Sequence, residues 1–557
     1  MKQQNLDAPV EALVASRSVA VTGAVPNELR SLPAILRRQV EERPDAEYLQ
    51  FGSRPPVTFG GIDLDSTRVA HSLRGLGVGR GDRVAIILPN CQEIVTTWFA
   101  AAKLGAVEVP VNVELRGSLL RHVLENSGAE VLVCSRDALV EVAPVVNELP
   151  ALRALVVVGG TAADARAAGI TVAAALAWDE LLDGATSSLD VVVGHADPMA
   201  ILYTSGTTGP AKGAVMPHNQ YWVWVDLYAR SLELTSADSY FTPLPLFHAD
   251  GQLWGAYFPL VYGTKGTFAD RFSASRYWDQ VRESGATATN MLGAMAHILW
   301  KQESRADDAD NPLRVAQALP MVGMKEDFEQ RFGLKLVTGY GQTGTNWVSY
   351  DTPSVSRPGS CGRVASEHFE VRIVDDLDQP LPTGSVGEIV VRHREPWSIS
   401  LGYHNNPVET QKTWRNLWFH SGDAGYLDED GWLYFSDRIK DVIRRRGSNI
   451  SAFELESVLG EHPDVEECAA VAVSSDLTED DVMVFVVVAE SSTLTPASLL
   501  EHCQEALPRF MVPRYLEIGT ERLPRTPTEK ISKPTLRERG PGKATWDADL
   551  GDFVAVP

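Results

Sequence analysis

Hydrophobic and polar positions along this chain follow two periods, and the period switches repeatedly. "LPAILRRQVEERP" (32–44) and "TFGGIDLDSTRVAHSLRGLGV" (58–78) space their apolar residues three and four apart, which predicts amphipathic helices. "DRVAIILP" (82–89) is a short, continuous apolar run and predicts a buried strand. "CQEIVTTWFAAAKLGAVEVPVN" (91–112) and "LRGSLLRHVLENSGAEVLVCS" (115–135) each pass from helix to strand. Alternation of this kind predicts an α/β fold, with helices laid on largely parallel sheets. The glycines of "RGLGVGRGD" (74–82) have the wrong spacing for a dinucleotide fingerprint and precede a strand, so they read as a helix stop.

From about residue 360 the texture changes. "FEVRIVDD" (369–376), "GEIVVRH" (387–393) and "GWLYFSD" (431–437) alternate with period two and predict a small β-subdomain. Then "DRIKDVIRRRGSNIS" (437–451) leads into helix and strand patterns, with a second such unit near 480–515. A boundary near 436–440 divides a large N-terminal domain from a C-terminal domain of ordinary size.

At 557 residues the chain is too long for one core. Fifty Lys and Arg against 73 Asp and Glu give a formal charge of −23, which disfavours nucleic acid and anionic membranes as partners. Any bound phosphate must then be held by local features. The five cysteines (Cys91, Cys134, Cys361, Cys468, Cys503) form no CxxC pair and read as reduced structural thiols. Residues 1–25 read as a loose leader, because Glu11 and Arg17 interrupt what would be a signal-peptide core. No stretch approaches the ~18–20 apolar residues of a membrane span. The expectation is a cytoplasmic enzyme, monomeric or homodimeric.

"ILYTSGTTGPAKGAVMPH" (201–218) is the strongest chemical signal. A strand runs into Thr204, Ser205, Gly206, Thr207, Thr208 and Gly209, and Lys212 follows. Hydroxyls, glycines and one lysine in so short a span make a donor-rich cradle for a polyphosphate. It is not a Walker A loop, since Lys212 precedes Gly213 instead of Ser or Thr.

This loop resembles the signature of the adenylate-forming superfamily of acyl-CoA synthetases, luciferases and peptide-synthetase adenylation domains. The likeness runs from about residue 30 to 536 and is strongest to crotonobetaine/carnitine-CoA ligase-like and fatty-acyl-CoA ligase-like members. It implies a large N-terminal domain (26–438), a hinge at 439–440 carried by Lys440, a small mobile α+β lid (441–540) and a tail (541–557). In "WFHSGDAGYLDEDGWLYFSDR" (418–438), Asp423 matches the aspartate that binds the ribose hydroxyls, and Arg438 the arginine that contacts ribose and phosphate. "LPRTPTEKISKP" (523–534) resembles the catalytic-lysine loop and places that lysine at Lys530, with Lys533 a nearby competitor. Such a lysine neutralises charge that builds between carboxylate and α-phosphate. Glu529 stands where the family usually has glycine.

"GYGQTGTNW" (339–347) resembles the family's Tyr-Gly-x-Thr-Glu motif, with Gly339, Tyr340, Gly341, Gln342 and Thr343 in the nucleotide site. Tyr340 matches the residue beside adenine, and Thr343 the one bonded to the α-phosphate. Gly344 replaces the glutamate that holds Mg²⁺ against ATP, so the resemblance implies a weakened metal site and names no protein residue as a metal ligand. Gln317, Ala318 and Leu319, before Pro320, replace the Gly-Gly-Ala-Pro-like adenine and substrate strand.

For the acid, the resemblance points to His248 in "PLPLFHADGQLWGAYFPL" (243–260), to Asn290, Met291 and Gly293 in "NMLGAMAHILW" (290–300), and to Gly339. "RRRGSNIS" (444–451) resembles the lid segment that lines the pantetheine tunnel, with Arg444–Arg446 candidates to contact CoA phosphates. The implied activity is ATP-dependent adenylation of a small acid, with Lys530, Thr343 and Lys212 catalytic, followed by transfer to CoA. Two rivals stand open: an off-type enzyme that activates nitrite with ATP to diazotise an aryl amine, and an inactive nucleotide-binding homologue.

Overall fold

The computed structural model describes residues 25–204, 210–319, 321, 323–439, 441, 443–445, 448–475, 480–507, 509, 511–526 and 530–554. The chain divides into two compact units. The first takes the described parts of Met1–Gly206, Pro210–Glu370 and Val391–Phe419, and the second those of Val371–Val390 and His420–Pro557. Most of the small β-subdomain, which the sequence reading attaches to the large domain, thus falls in the second unit.

Two seven-stranded sheets organise the first unit. In one, Arg83–Ile87, Val107–Pro110, Val131–Ser135, Ala154–Val158 and Ala174–Ala177 run parallel, and Pro198–Thr204 joins them beside Val107–Pro110. Lys212–Pro217 then turns back antiparallel on Pro198–Thr204. These strands are buried on both faces, which is why "VAII" and "VLVC" are apolar throughout. One residue breaks that rule. Glu108 is fully buried in Val107–Pro110, with Gln252 the polar side chain that interacts with its carboxyl. Burial pushes its carboxyl well above the usual carboxylate range.

The second sheet orders Lys335–Val337, Val315–Leu319, Ala288–Leu292, Tyr240–Thr242, Gly266–Phe268, Glu47–Phe51 and Val57–Thr58. All of its pairs are parallel except the last. Helices cover it as the periodicity predicts: Leu32–Glu42 and Phe59–Gly75 form over the two amphipathic stretches. The second starts at Thr58, whose hydroxyl accepts from the Gly61 amide at 3.0 Å. A third, small sheet joins Gly339–Gln342, Asn346–Tyr350 and Arg363–Val364.

The second unit holds most of a four-stranded sheet (Phe369–Val374, Gly387–His393, Phe419–Leu427, Leu433–Arg438). It also holds a five-stranded sheet of Val465–Ser474, Asp480–Val488, Tyr515–Gly519, Trp546–Asp547 and Asp552–Phe553. Helices Ala452–Glu461 and Pro496–Ala506 bury Leu455, Leu459, Leu499 and Cys503 against it. The segment read as a tail therefore supplies two strands. Arg445, Asp481, Arg514 and Asp547 tie this sheet together through ion pairs of 2.8–3.3 Å. None of the five cysteines forms a disulfide. No helix among the described residues is long and apolar enough to cross a membrane.

Candidate active site

The phosphate-loop signature lies between the strands Pro198–Thr204 and Lys212–Pro217. Ser205, Gly206, Thr207, Thr208 and Gly209 lie outside the described residues, but both flanks are placed. Thr204 and Lys212 are cross-strand partners, and the Thr204 hydroxyl donates to the Lys212 carbonyl at 3.4 Å. The Lys212 ammonium forms an ion pair with Glu409, 5.4 Å above the Tyr403 ring. Glu409 also accepts from Lys412 at 2.7 Å, and the Lys212 hydrogen bond leads in holding its carboxyl down at about 2. The sequence reading missed Glu409, which looks like an ordinary acidic residue in the first turn of Pro407–Thr413.

Gly339–Gln342 carries the second motif as one arm of a hairpin with Asn346–Tyr350. Tyr340 is buried, and the Thr343 carbonyl accepts from Gln220 Nε2 at 2.8 Å, which fixes the turn. A Cβ on Gly339 would collide with the Trp347 indole. At Gly344 the obstacle is the Phe419 ring, itself buried and set edge-on to Trp414 at 5.4 Å. A side chain at position 344 would therefore run into a phenyl ring. Among the described residues no group of three or more His, Cys, Asp or Glu side chains is placed to hold a metal.

Ala288–Leu292 and Val315–Leu319 lie side by side in parallel, with Asn290 opposite Gln317, Met291 opposite Ala318 and Leu292 opposite Leu319. Strand alternation then sorts the candidates by face. Met291 and Ala318 pack into a core with Phe241, Phe328 and Leu336, so their side chains do not line the face that Asn290 and Gln317 share. Gly293 is buried and opens helix Gly293–Trp300. His248 is half-exposed, with Nδ1 3.9 Å from Asp250, and stands just before a π-helical segment, Gly251–Tyr257, which no residue pattern announces.

In the second unit, Asp423 and Arg438 face each other across the antiparallel pair of Phe419–Leu427 and Leu433–Arg438. Arg438 Nε lies 3.5 Å from Asp423 Oδ1; the carboxylate is buried and the guanidinium half-exposed. Lys530 is exposed on a turn held by the Thr526 amide, which donates to the Lys530 carbonyl at 2.7 Å. Lys533 is committed elsewhere, since its ammonium lies 2.8 Å from Glu456. Arg445 turns inward to Asp481 and the Val512 carbonyl, which removes it from a phosphate-binding role. Lys440 lies outside the described residues.

Comparison with known proteins adds the decisive observation. Residues 36–404 match the family described as AMP-binding enzyme, and 454–530 match the AMP-binding enzyme C-terminal domain. The chain belongs to the AMP-binding enzyme family. A crotonobetaine/carnitine–CoA ligase of Salmonella typhimurium (strain LT2) is 33% identical over 491 residues, covering 86% of this chain and 93% of that protein. The anthranilate CoA ligase AuaEII, solved with anthranoyl-AMP, superposes with a TM-score of 0.83 at 25% identity, covering 92% of this chain and 98% of the other. The O-succinylbenzoate CoA synthetase of Bacillus subtilis, solved with AMP, gives a TM-score of 0.76 at 25% identity, covering 90% and 98%. This AMP-binding enzyme shares the fold of these ligases over nine-tenths of its length.

Proposed function

We propose that this AMP-binding enzyme is an ATP-dependent ligase that joins a small organic acid to CoA through an acyl-adenylate. The observation that carries the reading is the chain-long match, which takes in the C-terminal domain as well as the AMP-binding one. A carboxylate oxygen attacks the α-phosphorus of ATP, and the bond to the bridging oxygen breaks to release pyrophosphate. The CoA thiolate then attacks the acyl carbon and AMP leaves.

The side chains suit these steps by their own chemistry. Lys212, with Thr204, offers positive charge and a hydroxyl to the polyphosphate once Glu409 yields. Thr343 offers a hydroxyl to the α-phosphate, and Tyr340 a ring to adenine. Asp423 accepts from the ribose hydroxyls, with Arg438 paired to its carboxylate. Lys530 carries an exposed ammonium suited to the charge that develops during displacement. Magnesium enters only with the nucleotide.

The test is a screen for AMP release with ATP, a panel of acids, and CoA present or absent. Acid-dependent pyrophosphate release with CoA-dependent thioester formation supports the reading. Release that requires nitrite and an aminobenzoate instead would replace it with diazotisation. Nucleotide binding without pyrophosphate release under any condition would leave a binding protein.

A further inference from the structure

Asn290 and Gln317 share one face of the second sheet, opposite each other at the middle of two adjacent parallel strands. On that face the two amides are treated differently. Gln317 Oε1 accepts from the Tyr228 hydroxyl at 3.1 Å, and Tyr228 in turn accepts from Tyr240. Asn290 is 2% exposed, and its Oδ1 has no hydrogen-bond partner. A buried acceptor left unmade is costly, and native structures keep few of them unless a ligand or water completes the bond. The surroundings also bound the size of that ligand. Tyr228 stacks on Trp254 with centroids 3.4 Å apart, Trp347 stands edge-on to both at 6.0 and 6.1 Å, and all three rings are buried. Trp347 also fills the space beside Gly339. Beyond Gln317 this face is solid aromatic packing.

We infer that the acid substrate is compact, about one ring in size, and carries a neutral hydroxyl or amino group that donates to Asn290 Oδ1. The inference rests on the ligase reading for the reaction and on Asn290 alone for the selectivity. A site built to take a donor discriminates against the analogue that lacks it, because the acceptor is then buried unpaired.

The experiment compares matched acids on the full-length protein: benzoate with the hydroxy- and aminobenzoates, and butyrate with the hydroxybutyrates. The readout is kcat/KM for AMP release. Wild type should prefer at least one donor-bearing acid over its parent by roughly ten- to hundredfold, the worth of one buried hydrogen bond. In Asn290→Leu, which keeps the volume, and in Asn290→Ala, that ratio should fall to near one while KM for ATP holds. A preference for the parent acids in wild type, or a ratio that survives both variants, overturns the inference. If no acid releases AMP, the ligase reading falls by itself. Calorimetric titration of the same acids onto the AMP-loaded protein then decides the point: donor-selective binding lost in Asn290→Leu supports it, and equal binding of both members of each pair overturns it.

Discussion

The Phe419 ring occupies the space that any side chain on Gly344 would enter. Gly344 is not in the left-handed region, so the obstacle is steric and not a matter of backbone freedom. Gly344→Glu should therefore cost about 1–3 kcal/mol of stability, as overpacking does. Phe419→Leu made together with it should recover part of that loss, which a double-mutant cycle by denaturant unfolding will read as coupling. Activity at saturating magnesium should fall in the single mutant. Wild-type turnover with a lower magnesium requirement would mean that the ring moves aside and a metal ligand has been restored.

The Lys212–Glu409 pair sets up a competition, because polyphosphate and Glu409 both want the same ammonium. Glu409→Gln should tighten ATP binding roughly two- to fivefold, the scale of an exposed ion pair. Lys212→Ala should weaken it. Calorimetry with ATP checks both, and weaker binding in Glu409→Gln would mean that the glutamate positions the lysine instead of competing for it.

Lys530 and Lys533 separate cleanly. Lys530→Ala should leave ATP binding nearly intact and cut adenylation by orders of magnitude, since its charge matters in the transition state. Lys533→Ala should act on stability, at about 1–3 kcal/mol, by leaving the Glu456 carboxylate without its cation. Pyrophosphate release and unfolding midpoints on both variants test the assignment. Adenylation lost with Lys533 and kept without Lys530 would reverse it.

Asp423→Ala should weaken ATP binding by about 1–3 kcal/mol, the cost of an unmade charged hydrogen bond. Its ion pair with Arg438 predicts that Arg438→Ala loses part of the same binding energy, so the two losses should be less than additive in a calorimetric cycle.

Glu108 predicts a pH dependence. Its folded pKa is raised well above 4.5, so the folded state holds a proton that the unfolded chain releases. Its contribution is fully favourable below pH ~4.5 and declines as pH rises towards the folded value, by about 1.4 kcal/mol per pH unit. Glu108→Gln should flatten that decline and be the more stable protein at pH 8. Parallel unfolding curves for the two proteins between pH 5 and 8 would rule this out.

How much of this was legible in the sequence depends on whether the deciding physics is local. Asp423 and Arg438 were readable because a hairpin fixes their relation within a few residues of chain. Asn290 and Met291 were both readable as strand residues, but in a strand buried on both faces the apolar pattern does not say which side chain points where. Only the register against Gln317 and Ala318 sorts them. Glu409 and Phe419 act on Lys212 and Gly344 across long stretches of sequence, and neither sits in a pattern of its own. Trp546–Asp547 and Asp552–Phe553 are two residues each, too short for any periodicity to announce a strand.

Those two short strands have a consequence for handling the protein. Trp546–Asp547 pairs along the outer side of Tyr515–Gly519, and Asp552–Phe553 lies beyond it. A chain ended at residue 540, where the recognisable motifs stop, would leave the Tyr515–Gly519 ribbon with open amides and carbonyls and Arg514 without Asp547. An uncovered β-edge of that kind recruits other chains. The last stretch of sequence works as a selvedge, and trimming it would invite self-association in a protein whose chemistry lies elsewhere.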